Sequence, residues 1–209
     1  MSEYHKIQTV FKRDPATNHR TLLEGQYALP EFEYLASCPW TWTEKVDGTN
    51  VRVSFFEGQL SFGGRTDNAQ MPVKLLQRLS EVFLPQADLM SGIFGGSTVT
   101  LYGEGYGSGI QRGGGNYSPT QQFVLFDVLV GIWWLQRPDV EDVALRLGLD
   151  VAPVIGQGTL VEMVEYTRRG FGSMWGDFRA EGIVARPQTE LRTRGGERII
   201  TKIKTRDFQ

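Results

Sequence analysis

Residues 44–50 read EKVDGTN, and the fold assignment starts from this stretch because it joins a predicted strand, residues 40–44, to a tight turn at Gly48. Lys45 then stands at the end of the strand, in a cleft, with Asp47 close by. A lysine in such a setting can act as a nucleophile if its amine is partly deprotonated. By itself the K-x-D-G pattern is more often a plain turn with a solvated lysine, so partners elsewhere in the chain decide its meaning.

The composition limits the chemistry that the chain can perform. Its 209 residues are enough for one large domain with a real core. No apolar run approaches the roughly 18 residues of a membrane span, and the N-terminus lacks the apolar region of a signal peptide. Cys38 is the only cysteine, and His5 and His19 are the only histidines, which excludes disulfide frameworks, multi-histidine metal sites and histidine triads. We therefore expect a protein with no membrane partner, in a reducing cytoplasm, whose chemistry uses carboxylates, lysines and phosphates.

The apolar pattern predicts a β-rich α+β domain. Alternation in the last strand puts Lys202 and Lys204 on one face, in the basic C-terminal part of the chain. Trp133 and Trp134 directly follow an apolar strand and are expected in the core. Strands are predicted at residues 40–44, 51–56, 97–104, 123–130, 181–186 and 198–204, and helices at 75–83, at 138–148 and after a capping-box pattern at Thr159 and Glu162.

Several further motifs follow EKVDGTN in order along the chain. They are SFGGRTDN (61–68), LYGEGYG (101–107), VLFD (124–127), EGIV (181–184) and TKIK (201–204). This series resembles the covalent nucleotidyltransferases, the superfamily of ATP-dependent ligases and RNA-capping enzymes, over nearly the whole chain. Five residues after the lysine, DNA ligases and capping enzymes usually have an arginine, whereas this chain has Asn50. EKVDGTN and GEGYGSGIQRGGGNY (103–117) are instead similar to the RNA ligase 2 family of bacteriophages.

The resemblance implies both a fold and an activity. The fold would be the ATP-grasp-like α+β nucleotidyltransferase fold, with two antiparallel sheets flanked by helices around a nucleotide cleft. Residues 1–209 would form a single adenylyltransferase domain without an appended OB or other C-terminal domain, whose place a partner protein would take. The chain would be an ATP-dependent RNA ligase that acts on RNA 5′-phosphate and 3′-hydroxyl ends, in the cytoplasm of a phage host if it is phage-encoded.

The resemblance also implies a role for each matching residue. Lys45 would carry AMP from ATP, and Lys202 and Lys204 would neutralise the phosphates and favour the neutral Lys45 amine. Magnesium or manganese would be held through water by Asp47, Glu104 and Glu181, and Glu181 would also position Lys45. The ATP contacts would come from Glu44 at the adenine edge, Phe126 and Val184 on the adenine faces, and Glu104 and Arg65 at the ribose; the RNA contacts would come from Asn50, Gln111 and Arg112.

Each of these roles has a plainer alternative. Phe126 lies in a run apolar enough for core packing, and Glu44 and Glu181 would otherwise be exposed acids at strand ends. Lys202 and Lys204 could form a charge pair on an edge strand, and Asn50 could be an ordinary turn residue. The alternative functions are a DNA nick ligase, which Asn50 disfavours, and a non-catalytic nucleic-acid end-binding module, which the intact set of charged motif residues disfavours.

Overall fold

The computed structural model describes residues 3–209, which form two compact units. The six-stranded unit contains Tyr4 and Asp47–Ala152, and the five-stranded unit contains His5–Val46 and Pro153–Gln209. The chain leaves the five-stranded unit directly after Val46, one residue past the predicted nucleophile. Within the described residues, no helix is both long and apolar enough to cross a membrane.

The elements alternate between strands and helices along the chain. The strands are β1 (Gln8–Thr9), β2 (Phe11–Arg13), β3 (Leu22–Tyr27), β4 (Trp40–Glu44), β5 (Thr49–Phe56), β6 (Gln59–Gly63), β7 (Val99–Tyr106), β8 (Gln122–Val130), β9 (Trp133–Trp134), β10 (Asp150–Val151), β11 (Val154–Gly158), β12 (Gly182–Pro187) and β13 (Thr201–Lys204). The α-helices are α1 (Pro30–Tyr34), α2 (Val73–Phe83), α3 (Ala87–Phe94), α4 (Gly114–Tyr117), α5 (Arg137–Leu147) and α6 (Leu160–Arg169), with short 3-10 turns at Pro15–Thr17, Leu84–Gln86 and Thr205–Phe208.

The five-stranded unit is built on a sheet with the strand order β1-β13-β12-β4-β11. Its pairs are antiparallel except for the parallel pair of β1 and β13 at one edge. Trp40 and Trp42 alternate along β4 and are buried with Leu160 and Met163 of α6, which covers the sheet. The predicted capping box forms the start of α6. The Thr159 hydroxyl accepts from the Glu162 amide, and the Glu162 carboxylate accepts from the Thr159 amide. The β2–β3 hairpin forms a separate two-stranded sheet.

The six-stranded unit has the strand order β10-β8-β7-β5-β6, with β9 paired to β8. It is antiparallel apart from the pair of β10 and β8. Leu75, Leu79 and Phe83, which share one face of α2 as their helical spacing predicts, are fully buried in its core. Helix α5 ends at Gly148, whose φ of 61° is the left-handed conformation favoured at a helix end. Both sheets and their helices confirm the predicted α+β class.

Three local predictions need correction. Asn50 is not a turn residue, since β5 already begins at Thr49 and pairs along its length with β7. The last strand is shorter than predicted and covers only Thr201–Lys204. Trp133 is 72% exposed beside the turn between β8 and β9, whereas Trp134 is partly buried and packs against Tyr4. A position directly after an apolar strand therefore does not by itself predict burial.

Candidate functional site

The predicted site residues fall in both units. The five-stranded unit holds Glu44, Lys45, Glu181, Val184, Lys202 and Lys204. The six-stranded unit holds Asp47, Asn50, Arg65, Glu104, Gln111, Arg112 and Phe126.

In the five-stranded unit, the ends of three neighbouring strands bring together a lysine, a glutamate and a second lysine. Lys45 directly follows β4, Glu181 directly precedes β12, and Lys204 ends β13. Because β12 pairs antiparallel with β4 and β13, the start of β12 lies beside the ends of β4 and β13. The Lys45 Nζ donates to Glu181 Oε2 at 2.6 Å, and the Lys204 Nζ donates to Glu181 Oε1 at 2.6 Å.

The backbone fixes this lysine–glutamate–lysine arrangement. The Lys45 amide donates to the carbonyl of Gly182 at 2.9 Å, and the Thr205 amide donates to the carbonyl of Glu181 at 2.8 Å. A Cβ on Gly182 would lie 2.2 Å from the carbonyl oxygen of Ile203, so only glycine allows β12 and β13 to approach this closely. The side chains of Lys45 and Lys204 are each 19% exposed and that of Glu181 is 10% exposed. Two ammonium groups thus share one carboxylate, which leaves a net positive charge for an anion.

Glu44 is buried, and each of its carboxylate oxygens already accepts a hydrogen bond. It is 1% exposed, its Oε1 accepts from the Ser173 hydroxyl at 2.5 Å, and its Oε2 accepts from the Met174 amide at 2.7 Å. The alternative of an exposed strand-end acid is therefore wrong for Glu44. It is wrong for Glu181 as well, because the Glu181 side chain is only 10% exposed. The contact of Glu44 with adenine stays a prediction, whereas its bonds to the 173–174 segment are observed.

Lys202 and Val184 are neighbours across β13 and β12. Both Lys202 and Lys204 are partly exposed while Thr201 and Ile203 are fully buried, which confirms the predicted alternation. Strand β13 lies between β1 and β12, so the alternative of a charge pair on an edge strand is wrong. Both lysines therefore lie on an internal strand, whose position is fixed by pairing with a neighbouring strand on each side.

In the six-stranded unit, residues that follow Lys45 in the chain are held against β7. Asn50 of β5 is the cross-strand partner of Glu104 of β7. The Oδ1 atom of Asn50 is buried and finds no hydrogen-bond donor within residues 3–209. A Cβ on Gly48 would lie 2.2 Å from the carbonyl oxygen of Gly105, so this position requires glycine because of the close backbone approach.

The glycine-dense loop after β7 contacts the turn at Asp47 and Gly48. Gln111 is exposed, and its Nε2 donates to the carbonyl of Gly48 at 3.0 Å. The Asp47 amide donates to the Tyr117 hydroxyl at 3.3 Å. Arg112, next to Gln111, is exposed. Two of the predicted RNA-contacting residues thus lie on a loop that touches the 47–48 turn.

Phe126 is not a core residue of the six-stranded unit. It is the extra residue of a β-bulge, since Leu125 and Asp127 pair with consecutive residues of β7. Its ring is partly exposed and meets the ring of Tyr4 edge-on, with centroids 5.2 Å apart. The Tyr4 hydroxyl donates to the buried Asp127 carboxylate at 2.6 Å. The alternative of plain core packing is therefore wrong, and the bulge leaves part of the ring available for stacking.

Arg52 is a residue of the site region that sequence reasoning missed. It is fully buried, its Nε donates to the carbonyl of Gly64 at 2.7 Å, and its Nη2 donates to Asp67 at 2.9 Å. These bonds hold the loop that carries the exposed Arg65. The only signal in the sequence is an arginine within the strand VRVSFF, whose alternation places it opposite the apolar face but does not show that this face is covered.

The predicted metal ligands do not form a ready-made site. Within residues 3–209, no three histidine, cysteine, aspartate or glutamate side chains are grouped so that they could hold a metal ion. Both oxygens of Glu181 are bonded to lysines. Magnesium binds with few protein carboxylates and retained waters, so this arrangement fits a metal bound largely through water and phosphate oxygens. The water-mediated contacts of Asp47, Glu104 and Glu181 stay a prediction.

Comparisons with known proteins address the family and the fold. The family model for RNA ligase matches residues 39–204. A search of curated proteins found no match. Among solved structures, Naegleria gruberi RNA ligase with PPi matches with a TM-score of 0.67 at 16% identity, over 98% of this chain and 56% of that chain. A mutant of the same enzyme with ATP and Mn gives the same four values.

A further mutant of the Naegleria gruberi enzyme, with AMP and Mn, matches with a TM-score of 0.66 at 15% identity, over 98% of this chain and 56% of that chain. This chain therefore spans little more than half the length of the structures that it matches. At such low identity the likeness concerns the fold, and it confirms the predicted nucleotidyltransferase fold.

Proposed function

Because the chain belongs to the RNA ligase family, we propose that it is an ATP-dependent RNA ligase that carries AMP on Lys45. The observation that supports this most is the contact of Glu181 with both Lys45 and Lys204, at 2.6 Å each. The amine of Lys45 and that of Lys204 thus lie on either side of one carboxylate. Covalent transfer of a phosphoryl group by a lysine needs such a held amine and charge compensation for the phosphates.

In the first step, the Nζ of Lys45 attacks the α-phosphorus of ATP. A P–N bond forms, the bond from the α-phosphorus to the bridging oxygen breaks, and pyrophosphate leaves with the electron pair. Glu181 holds the attacking amine and is the nearest acceptor for the proton that the amine loses. Lys204 and Lys202 stabilise the negative charge on the phosphates.

In the second step, an oxygen of the RNA 5′-phosphate attacks the same phosphorus, the P–N bond breaks, and Lys45 is regenerated. In the third step, an RNA 3′-hydroxyl attacks the activated 5′-phosphate and AMP leaves, which joins the strand. A divalent metal, bound through water near Asp47, Glu104 and Glu181, would add charge neutralisation to these transfers. The reducing cytoplasm remains the proposed location of the reaction.

The remaining predicted contacts complete the proposal for ATP and RNA. The partly exposed Phe126 suits stacking on a flat base, with Val184 on the other face and Glu44 at the base edge. The ribose is assigned to Glu104 and Arg65, and RNA to Asn50, Gln111 and Arg112. The buried, unbonded Oδ1 of Asn50 supports a role in binding, because a buried acceptor without a donor is costly.

The test is the covalent adduct itself. Incubation with ATP labelled on the α-phosphate, with magnesium or manganese, should give a labelled protein on a denaturing gel whose bond is labile to acid and stable to base. Lys45→Ala should give no label, whereas the control Lys74→Ala, which removes an exposed lysine on α2, should label like the parent. Label on the Lys45→Ala protein, or no label on the parent with either metal, would refute the assignment.

A further inference from the structure

Four aromatic rings gather in the six-stranded unit, and Tyr4 contacts the other three. The centroid of its ring lies 5.1 Å from that of Tyr102, 5.2 Å from that of Phe126 and 5.7 Å from that of Trp134. Tyr4 and Tyr102 are buried, whereas Phe126 and Trp134 are partly exposed. Tyr4 therefore joins the buried part of this cluster to the exposed ring of Phe126.

The ring of Tyr4 is fixed by a buried acid. Tyr4 belongs to no helix or strand, and the residues that follow it, His5–Val46, belong to the other unit. Its hydroxyl donates to the Asp127 carboxylate at 2.6 Å, across 123 positions of the chain. Asp127 is fully buried, and a buried carboxylate is costly unless it accepts hydrogen bonds. Bonds to a charged acceptor are also stronger than neutral ones, so this one holds the Tyr4 ring firmly.

The same contact fixes the surroundings of Phe126. Its neighbours Leu125 and Asp127 pair with consecutive residues of β7, so Phe126 itself has no cross-strand partner in the bulge. The direction of its ring then depends on side-chain contacts. The Tyr4 and Phe126 rings meet at 72°, and in such an edge-to-face contact Tyr4 covers at most one face of Phe126. A face of the Phe126 ring is thus held in a fixed direction without being covered by Tyr4.

We propose that Tyr4 is a positioning residue, which holds the Phe126 ring in the direction that stacks on the adenine of ATP. This role rests on the proposed function, which assigns Phe126 to an adenine face. Tyr4 acts through Phe126 and contacts neither the phosphates nor the reacting atoms. Loss of the Tyr4 ring should consequently weaken the binding of ligands that carry a base, and leave the binding of phosphate chains without a base unchanged.

The first experiment compares these two kinds of ligand by calorimetric titration with AMP and with inorganic tripolyphosphate. Tyr4→Leu and Tyr4→Met both remove the ring. We expect the AMP affinity of each to fall about ten-fold, within the range that stacking of a base on an aromatic ring contributes, and the tripolyphosphate affinity to stay within about two-fold. Tyr4→Phe keeps the ring and loses the bond to Asp127, so it should melt at a lower temperature yet bind AMP within about three-fold of the parent.

A destabilised control separates positioning from stability. Leu79→Ala removes a fully buried side chain of α2 in the same unit, and should lower the melting temperature while AMP affinity stays within about two-fold. Parental AMP affinity in Tyr4→Leu and Tyr4→Met would overturn the proposal. An equal loss of AMP and tripolyphosphate affinity in these variants would overturn it as well, because a purely structural role affects both ligands.

A double-mutant cycle tests whether Tyr4 acts through Phe126. Tyr4→Leu should cost about ten-fold in AMP affinity in the parent, but less than about two-fold in the Phe126→Leu protein, where the ring to be positioned is gone. A ten-fold loss in both backgrounds would overturn the proposal. A parent that forms the labelled adduct, with a Tyr4→Leu variant that binds AMP normally, would refute this role alone. A parent that neither binds AMP nor forms the adduct would refute the proposed function and this role together.

Discussion

The carboxylate of Glu181 lies 2.6 Å from the Nζ of Lys45. The contact joins the end of β4 to the start of β12, and the same carboxylate also bonds Lys204 at the end of β13. The proposed nucleophile, an amine on a flexible four-carbon stem, is thereby held in one place by a partner on the neighbouring strand. The position of the Lys45 amine consequently depends on the negative charge of Glu181.

Glu181→Gln should slow adduct formation with labelled ATP about 10²- to 10³-fold, the usual cost of one preorganised electrostatic contact. Glutamine keeps the shape but removes the charge that holds the two lysines together. The melting temperature should stay near that of the parent, and Glu197→Gln, at an exposed acid, should react normally. A rate for Glu181→Gln within about three-fold of the parent would mean that other groups place Lys45.

Gly182→Ala should destabilise the five-stranded unit and reduce adduct formation. The new Cβ would lie 2.2 Å from the Ile203 carbonyl oxygen and 2.8 Å from the Lys204 Cα, both backbone atoms that cannot move aside without separating β12 from β13. We expect a loss of about 1–3 kcal/mol in the free energy of unfolding measured with urea. Gly172→Ala is the matched control, since nothing lies within 4 Å of a Cβ there. Equal stabilities of the two variants would contradict the packing argument.

Arg52→Met should loosen the loop that carries Arg65. The substitution leaves the Gly64 carbonyl without the bond that Arg52 donates, which should cost about 1–3 kcal/mol, and trypsin should cleave after Arg65 faster. Asp67→Asn tests the other bond of Arg52. The Asp67 side chain is 65% exposed, so this change should cost about 1 kcal/mol or less. A loss for Asp67→Asn as large as that for Arg52→Met would show that the ion pair, and not the bond to the carbonyl, holds the loop.

Alkaline pH should destabilise the six-stranded unit through Tyr106. Burial, and to a lesser extent the charge of Asp150, raise the pKa of Tyr106 to about 12, while the charge of Arg78 opposes the rise. The pKa in the unfolded chain is about 10, so the stabilisation from neutral Tyr106 is complete below pH 10 and is lost as the pH rises to about 12. The loss should be on the order of 2–3 kcal/mol.

Urea unfolding of the parent and of Tyr106→Phe between pH 9 and pH 12 measures this loss. Phenylalanine has no proton to release, so the variant should lose less stability over that range than the parent. Tyr34→Phe, at a residue 86% exposed, should follow the parent curve. Parallel curves for the parent and Tyr106→Phe would show that its ionisation does not oppose folding.

The sequence by itself determined the local elements and the family. The face of α2 and the capping box of α6 depend on residues three or four positions apart, whose contacts the helix geometry dictates. The alternation of Lys202 and Lys204 follows in the same way from the period of a strand. The ordered motifs from EKVDGTN to TKIK indicated the family, which the match over residues 39–204 confirms.

Only the tertiary structure decided which of these residues meet. Glu181 reaches Lys45 across 136 residues, and Asp207 reaches Arg13 across 194, through strand pairing whose order and register no local pattern contains. The burial of Arg52 was equally hidden, because alternation distinguishes two faces of a strand but not what covers each face. Local geometry acts within a few residues, whereas these contacts exist only after distant strands have paired, and they therefore had to be seen in the fold.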